Sequence, residues 1–411
     1  MAAEKRRKEP KDLRKAKQSA HAAARATPGA VLLVLRAVAV LAVFSIGHTL
    51  ASNGAFASEV DQKMSILARL FFFMVAHAVA NEFFALVMLQ VARRLLGDGL
   101  ALGAEMTPEE KANNDSSIAW PQKDLLSPEL RAFADRKGQP FCLNHVTGRR
   151  RFKDALMRFG MTVGSVVAVW CTCTWMDKRS LASLGLTLDT PFFRDAACGL
   201  AVGVAIVTFM FAVELSLGWV QFLQFFEVFD RSESFVRCIL WDVIFHLNVA
   251  LNEELPVRGW MLYALAESLA THFGLRPIVA FVTAMVAESA FFVAMHLQSP
   301  GGTELKSMLN IFVGGMAGGL NVLFTGGRLG FSLGWHFGWN ISMGNVFGMS
   351  TSGIPISATF VSVAPHPEKA KLHGGVFGPE GGVVSPFAYG LGIILLALIY
   401  GLPAEVVSPS R

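Results

Sequence analysis

The sequence predicts an all-α fold, a polytopic transmembrane helical bundle with about eight to nine membrane helices. Three observations carry that expectation. Hydrophobic residues make up 53% of the 411-residue chain and charged residues only 16%, with a mean hydropathy of +0.46; a soluble domain usually carries about 25% charged residues. Apolar runs recur at the length of roughly 20 residues that a spanning helix needs. Alternating ten-residue segments of the membrane-barrel type are absent, so strands are not required.

The apolar runs fall near 30–50, 65–92, 157–176, 195–219, 234–255, 275–298, 306–325, 328–349 and 384–403, and residues 256–270 continue the fifth run past Pro256. Ahead of them, residues 1–28 form a basic tail whose Lys5, Arg6, Arg7, Lys8, Lys11, Arg14, Lys15 and Lys17 outnumber Glu4, Glu9 and Asp12. A basic block beside the first apolar run favours the cytoplasmic side and anionic lipid. No aromatic or motif context supports nucleic-acid binding, and the acidic residues argue against a transit peptide. Residues 29–95 read as two added transmembrane helices and 96–155 as a hydrophilic loop ending in Arg149, Arg150, Arg151 and Lys153. Two crossings return this loop to the side of the tail, in accord with the positive-inside rule. Residues 156–405 form the main membrane domain, with its motifs between 234 and 350, and 351–383 is a Gly- and Pro-rich loop before the last helix. The five cysteines (Cys142, Cys171, Cys173, Cys198 and Cys238) show no zinc spacing and receive no functional role.

Ionisable residues inside apolar helices mark a function or a buried pair. One set comprises Arg36 in the first run and His77, Asn81 and Glu82 in the second. Arg36 and Glu82 lie at compatible depths for a structural ion pair. Phe73, His77 and Asn81 read F-x-x-x-H-x-x-x-N, a spacing taken as chance. The second set is denser: N-E-E-L-P-V-R-G-W at 252–260, E-S-A-F-F-V-A-M-H at 288–296 and L-G-W-H-F-G-W-N at 333–340. Residues four apart share a helix face, so Glu254 and Arg258, Phe292 and His296, and His336 and Asn340 each point one way. Arg258 can hold Glu254 as a carboxylate, leaving Glu253, about 100° around the helix, for chemistry as a general base.

These segments together resemble the CPBP family, the CAAX prenyl protease and bacteriocin-processing group of intramembrane proteases also called the Abi family. Its pattern of E-E-x-x-x-R, F-x-x-x-H and H-x-x-x-N stands here as Glu253, Glu254 and Arg258; Phe292 and His296; and His336 and Asn340. L-A-S-L-G-L at 181–186, the Gly-rich stretch 315–320 and F-G-P-E-G-G at 377–382 extend the likeness over roughly 155–405. Two departures stand out. Pro256 sits inside the first motif, where it is expected to kink or break the helix. Glu288 lies two turns before His296, as a third site carboxylate or a buried partner.

The resemblance implies an endopeptidase with catalytic Glu253, His296, His336 and Asn340. Glu253 with His296 would position and deprotonate water, and His336 and Asn340 would donate to the oxyanion. Glu254, Arg258 and Phe292 would support the helix or hold substrate, with Arg258 suited to a free C-terminal carboxylate. Asp242 and His246 are expected in packing or supporting roles. No cofactor is required, the alternative being a divalent metal such as zinc on Glu253, His296 and His336. The implied partners are the lipid bilayer and a peptide or prenylated protein substrate, with CAAX-box processing one such activity. A protease of non-prenylated membrane peptides, a catalytically silent scaffold of the same fold and a proton-coupled transporter are the alternatives. Endoplasmic reticulum, organelle and plasma membrane remain equally open.

Overall fold

The computed structural model describes residues 33–52, 66–96, 127–128 and 146–403. The basic tail 1–28, Cys142 and most of the 96–155 loop lie outside the described residues. Seven helices are long and apolar enough to cross a membrane: α1 (Leu33–Ser52), α2 (Ile66–Leu96), α3 (Gly148–Cys171, extended by a π turn to Asp177), α4 (Thr190–Ser216), α5 continuing into α6 (Phe235–Phe273), α7 (Pro277–His296) and α8 (Leu305–Phe324). The last two expected membrane elements are shorter. Helix α9 spans Gly330–Ile341 and runs on through a π segment, Ser342–Val346, and α10 spans Ser385–Tyr400, so both are shorter than the other seven.

Two features depart from the sequence reading. A two-stranded antiparallel sheet joins β1 (Val220–Val228) to β2 (Ala358–Pro365), with an irregularity at Phe222/Gln224. This bulge blurs the alternation that marks a strand, and β2 gives the 351–383 loop regular structure. Pro256 disturbs its helix, as expected, but does not break it. α5 (Phe235–Glu254) passes through a π segment, Leu255–Met261, and continues as α6 (Leu262–Phe273). Proline has no N–H for the carbonyl four residues back, and a widened turn accommodates that loss while the chain stays helical.

Lipid supplies little drive for helix association, so close contacts and polar bonds must hold the bundle. Gly199 and Gly203 of α4 lie against the backbone of α9, where Gly334 and Gly338 lie against α4 in return. A side chain at any of these positions would clash with the opposing backbone. Helix α2 is bound to the rest by Arg69, whose Nη1 donates to Asp177 Oδ1 at 2.8 Å and Nη2 to Ser268 Oγ at 2.6 Å. Trp260 Nε1 donates to the other Asp177 oxygen at 2.7 Å. Arg36 of α1 pairs with Glu82 of α2. Helix α3 runs alongside α5 in the same direction: Arg151 pairs with Asp242 at 2.5 Å, and Thr162 donates to the Asn248 carbonyl at 3.1 Å. Asp242 also accepts from Asn345 and Ser357, which fixes it as a structural acid; His246 is fully buried one turn further on.

Candidate active site

Glu253 and Glu254 are the last two residues of α5 before the π segment. Adjacent positions on a helix diverge, and the structure gives them different surroundings. Glu254 is 3% exposed and takes three donors. Ser332 Oγ donates to Oε2 at 2.6 Å, His336 Nδ1 lies 2.7 Å from Oε1, and Arg258 Nη1 donates to Oε1 at 3.2 Å. These contacts pin α9 to α5. Glu253, with its side chain 12% exposed, faces the cavity instead, and its Oε2 lies 3.9 Å from His336 Nε2. The two histidine nitrogens thus face the two adjacent glutamates.

Arg258 is 1% exposed. Besides Glu254 it meets Glu288 Oε2 at 3.5 Å through Nε, and its guanidinium lies 4.0 Å from the centre of the Phe292 ring. Gly318 of α8 leaves the room it needs, since a Cβ there would come 2.8 Å from Nε. Glu288 is therefore a buried counter-ion. Arg258 is enclosed between two carboxylates and a ring, which fits bracing and leaves no open face for a substrate's terminal carboxylate.

Phe292 organises the second motif. Its ring centre is 4.6 Å from that of His296 and 6.4 Å from that of His336. His296 ends α7, and its Nδ1 lies 2.8 Å from the Phe292 carbonyl. A carbonyl only accepts, so Nδ1 carries a proton, and in the neutral ring Nε2 keeps its lone pair. Asn340 is buried one turn beyond His336.

All seven sequence-predicted site residues (Glu253, Glu254, Arg258, Phe292, His296, His336 and Asn340) line one cavity of about 290 Å³. The same cavity exposes residues that the sequence reading set aside. His77 and Asn81 of α2, taken as a chance spacing, form part of its wall. They belong to a polar cluster that ends at the residue before Glu253. His77 Nε2 lies 2.8 Å from Ser165 Oγ, and Asn81 Nδ2 lies 3.2 Å from His77 and 3.4 Å from Asn252 Oδ1. Ser165 lies 2.5 Å from Asn252 Oδ1. Helix α2 is thus a wall of the site, a relation that local spacing cannot reveal.

Glu380, from the F-G-P-E-G-G segment, also lines the cavity. Trp339 Nε1 donates to its Oε1 at 2.9 Å and Ser352 Oγ to its Oε2 at 2.6 Å, while Asn310 Nδ2 donates to its carbonyl at 2.8 Å. Both ends of the 351–383 loop are thereby held against α8 and α9. Burial pushes the Glu380 carboxyl above its ordinary value, opposed by the hydrogen bond from Ser352.

Glu253, His296 and His336, the donors offered to a divalent ion, share the cavity. Among the described residues no three His, Cys, Asp or Glu side chains converge to hold a metal. No step is therefore derived through one.

Seven long apolar helices around a buried carboxylate and histidine site define a multi-pass integral membrane protein with intramembrane polar chemistry. Residues 235–342, from α5 to the end of α9, match the family model described as type II CAAX prenyl endopeptidase Rce1-like, a match consistent with the CPBP resemblance. No curated protein and no solved structure matches the chain.

Proposed function

We propose that the chain is an intramembrane endopeptidase in which Glu253 activates water against a peptide bond, with C-terminal CAAX-box processing as its activity. The observation that carries this reading is the division of labour between two adjacent carboxylates. Glu254 is saturated by His336, Ser332 and Arg258, while Glu253 faces the cavity.

Glu253 takes a proton from water as the oxygen attacks the scissile carbonyl carbon, then returns it to the leaving nitrogen as the C–N bond breaks. His296 Nε2, a lone-pair site because Nδ1 donates to Phe292, accepts the water's second hydrogen and orients it. His336 and Asn340 donate to the oxyanion. With Nδ1–H given to the Glu254 carboxylate, His336 can donate through Nε2 only as an imidazolium, and Glu254 is the counter-ion that favours this form. Each oxyanion donor is worth about 3 kcal/mol in the transition state. No divalent ion is needed in this scheme.

The test is cleavage of a prenylated CAAX peptide and its unprenylated twin by the full chain purified in detergent, with and without a chelator. The expected result is release of the C-terminal segment from the prenylated peptide, unchanged by chelation. Failure on both peptides overturns the CAAX reading. Loss of activity on chelation, restored by metal, overturns the metal-free scheme.

A further inference from the structure

The β1–β2 ribbon has two unlike faces. Val220 of β1 and Val363 of β2 are buried in the core shared with α4 and α9. Phe222, Phe225 and Phe226 of β1 and Phe360 of β2 are exposed, Phe225 and Phe226 to 64% and 65%. A regular strand turns successive side chains to opposite faces. Phe226 departs from that rule because its φ is +56°, in the left-handed region where a residue other than glycine is strained. Two adjacent phenylalanines are thereby turned outward. Their rings form one cluster with Phe235, the first residue of α5. The Phe226 ring centre lies 5.5 Å from that of Phe235 and 5.8 Å from that of Phe360, and the last two are 5.1 Å apart. A contiguous exposed apolar cluster marks an interaction surface.

The place of the ribbon in the bundle says what covers that face. β1 follows α4 after Ser216 and leads into α5 at Phe235, so it sits at the ends of two membrane-spanning helices. Val236 and Leu240, exposed and four apart, carry the apolar surface from the Phe cluster along α5 toward lipid. Among the described residues the sheet has only two strands, so each keeps one edge without a strand partner. Open backbone edges do not occur inside the hydrocarbon, where no water satisfies them. The ribbon therefore belongs at headgroup level, with its rings toward the acyl chains. The exposed Arg149 and Arg150 start α3 at the same end, where the Arg149 amide donates to Glu233 at 3.0 Å. The exposed Arg231 and Arg237 flank the turn between β1 and α5. With Lys153 these arginines outnumber Asp154, Asp230 and Glu233, which leaves an excess of positive charge. An apolar face rimmed by cations is the pattern of an interfacial anchor, and the cations attract anionic headgroups.

We propose that the Phe face of the β1–β2 ribbon lies in the headgroup layer of the leaflet at the arginine-rich end and anchors the chain to anionic phospholipid. The anchor is tied to the bundle near the site. Asn345 Nδ2 donates to the Ala358 carbonyl at 2.8 Å, and Thr359 Oγ1 donates to the Asn345 carbonyl at 3.1 Å. The ribbon is thereby fixed to the π segment that continues α9. A second copy of the chain offers apolar surface too, and the experiment separates the two.

The full chain, with the photoreactive p-benzoylphenylalanine in place of Phe225 or of Phe226, is reconstituted in phosphatidylcholine vesicles holding about one-quarter phosphatidylserine. After irradiation, mass spectrometry of the labelled peptide identifies what each position touches. Phospholipid adducts are expected at both positions, with phosphatidylserine about two- to fivefold above its share of the vesicle. Arg150→Gln with Arg231→Gln should bring phosphatidylserine back toward that share while lipid adducts persist, and Lys at both positions should keep the enrichment. Adducts to a second copy of the chain in place of lipid overturn the proposal and make the face a protein interface. Absence of lipid adducts at both positions, in labelled chains that melt like the unmutated one, overturns it as well. Phosphatidylserine at its bulk share in the chain with all its arginines overturns the anionic preference.

Discussion

Glu254 and His336, 82 residues apart in sequence, meet through a 2.7 Å contact between Oε1 and Nδ1. It joins the end of α5 to the middle of α9 and orients the histidine so that Nε2 turns toward Glu253. Glu254 is thereby held by its donors, while Glu253 keeps its face to the cavity.

Replacement of Glu253 by Gln is expected to lower turnover by about 10²–10⁴-fold, the usual contribution of a general base. The thermal midpoint of the detergent-solubilised chain should hardly move, because Glu253 faces the cavity. Retained cleavage in the Gln variant would place the base elsewhere.

Glu254→Ala should behave differently. It leaves Arg258 and His336 without their buried acid, and such a loss costs about 3–5 kcal/mol. Reduced folded yield and a lower unfolding midpoint are expected alongside lost activity. A variant that melts like the unmutated chain would show that Glu254 does not brace α9.

Asn81→Ala probes the contribution of α2. Asn81 and Ser165 together hold Asn252, the residue before Glu253. Small displacements of a reacting group cost large factors in rate, so kcat should fall about tenfold with KM little changed. An unchanged kcat would reduce α2 to a passive wall.

Glu380 gives a pH signature. Its carboxyl sits above the ordinary value of 4.5 because it is buried. A carboxyl with a higher pKa folded than unfolded binds its proton more tightly in the native state. Its contribution to stability is fully present below about pH 4.5 and is lost as the pH rises through the folded value. The thermal midpoint of the native chain should therefore fall over that interval, and Glu380→Gln should flatten the slope. Parallel pH profiles for the two chains would count against a buried, proton-holding Glu380.

Much of the site was legible because its chemistry is local. Glu254 and Arg258, Phe292 and His296, and His336 and Asn340 are pairs four apart, and a helix brings such pairs onto one face whatever surrounds it. The π segment at Pro256 was harder to read, since the missing N–H announces a disturbance without saying whether the helix breaks or widens. The β1–β2 ribbon was hidden by its bulge. His77, Asn81, Glu380 and Arg158 reach the cavity from segments that no periodicity links to Glu253. The sequence signals among them were the polar His77 and Asn81 inside an apolar helix and the G-P-E-G-G turn around Glu380.

By itself, then, the sequence determined a membrane bundle and the motif residues of its central site, because hydropathy and the 3.6-residue repeat are properties of each segment alone. The tertiary structure decided which glutamate is saturated and which faces the cavity, and that α2 walls the site. Those outcomes depend on the register between helices, set by close contacts such as those of Gly199, Gly203, Gly334 and Gly338 and by buried pairs such as Arg151 with Asp242. Such contacts join residues far apart in the chain, and only packing brings them together.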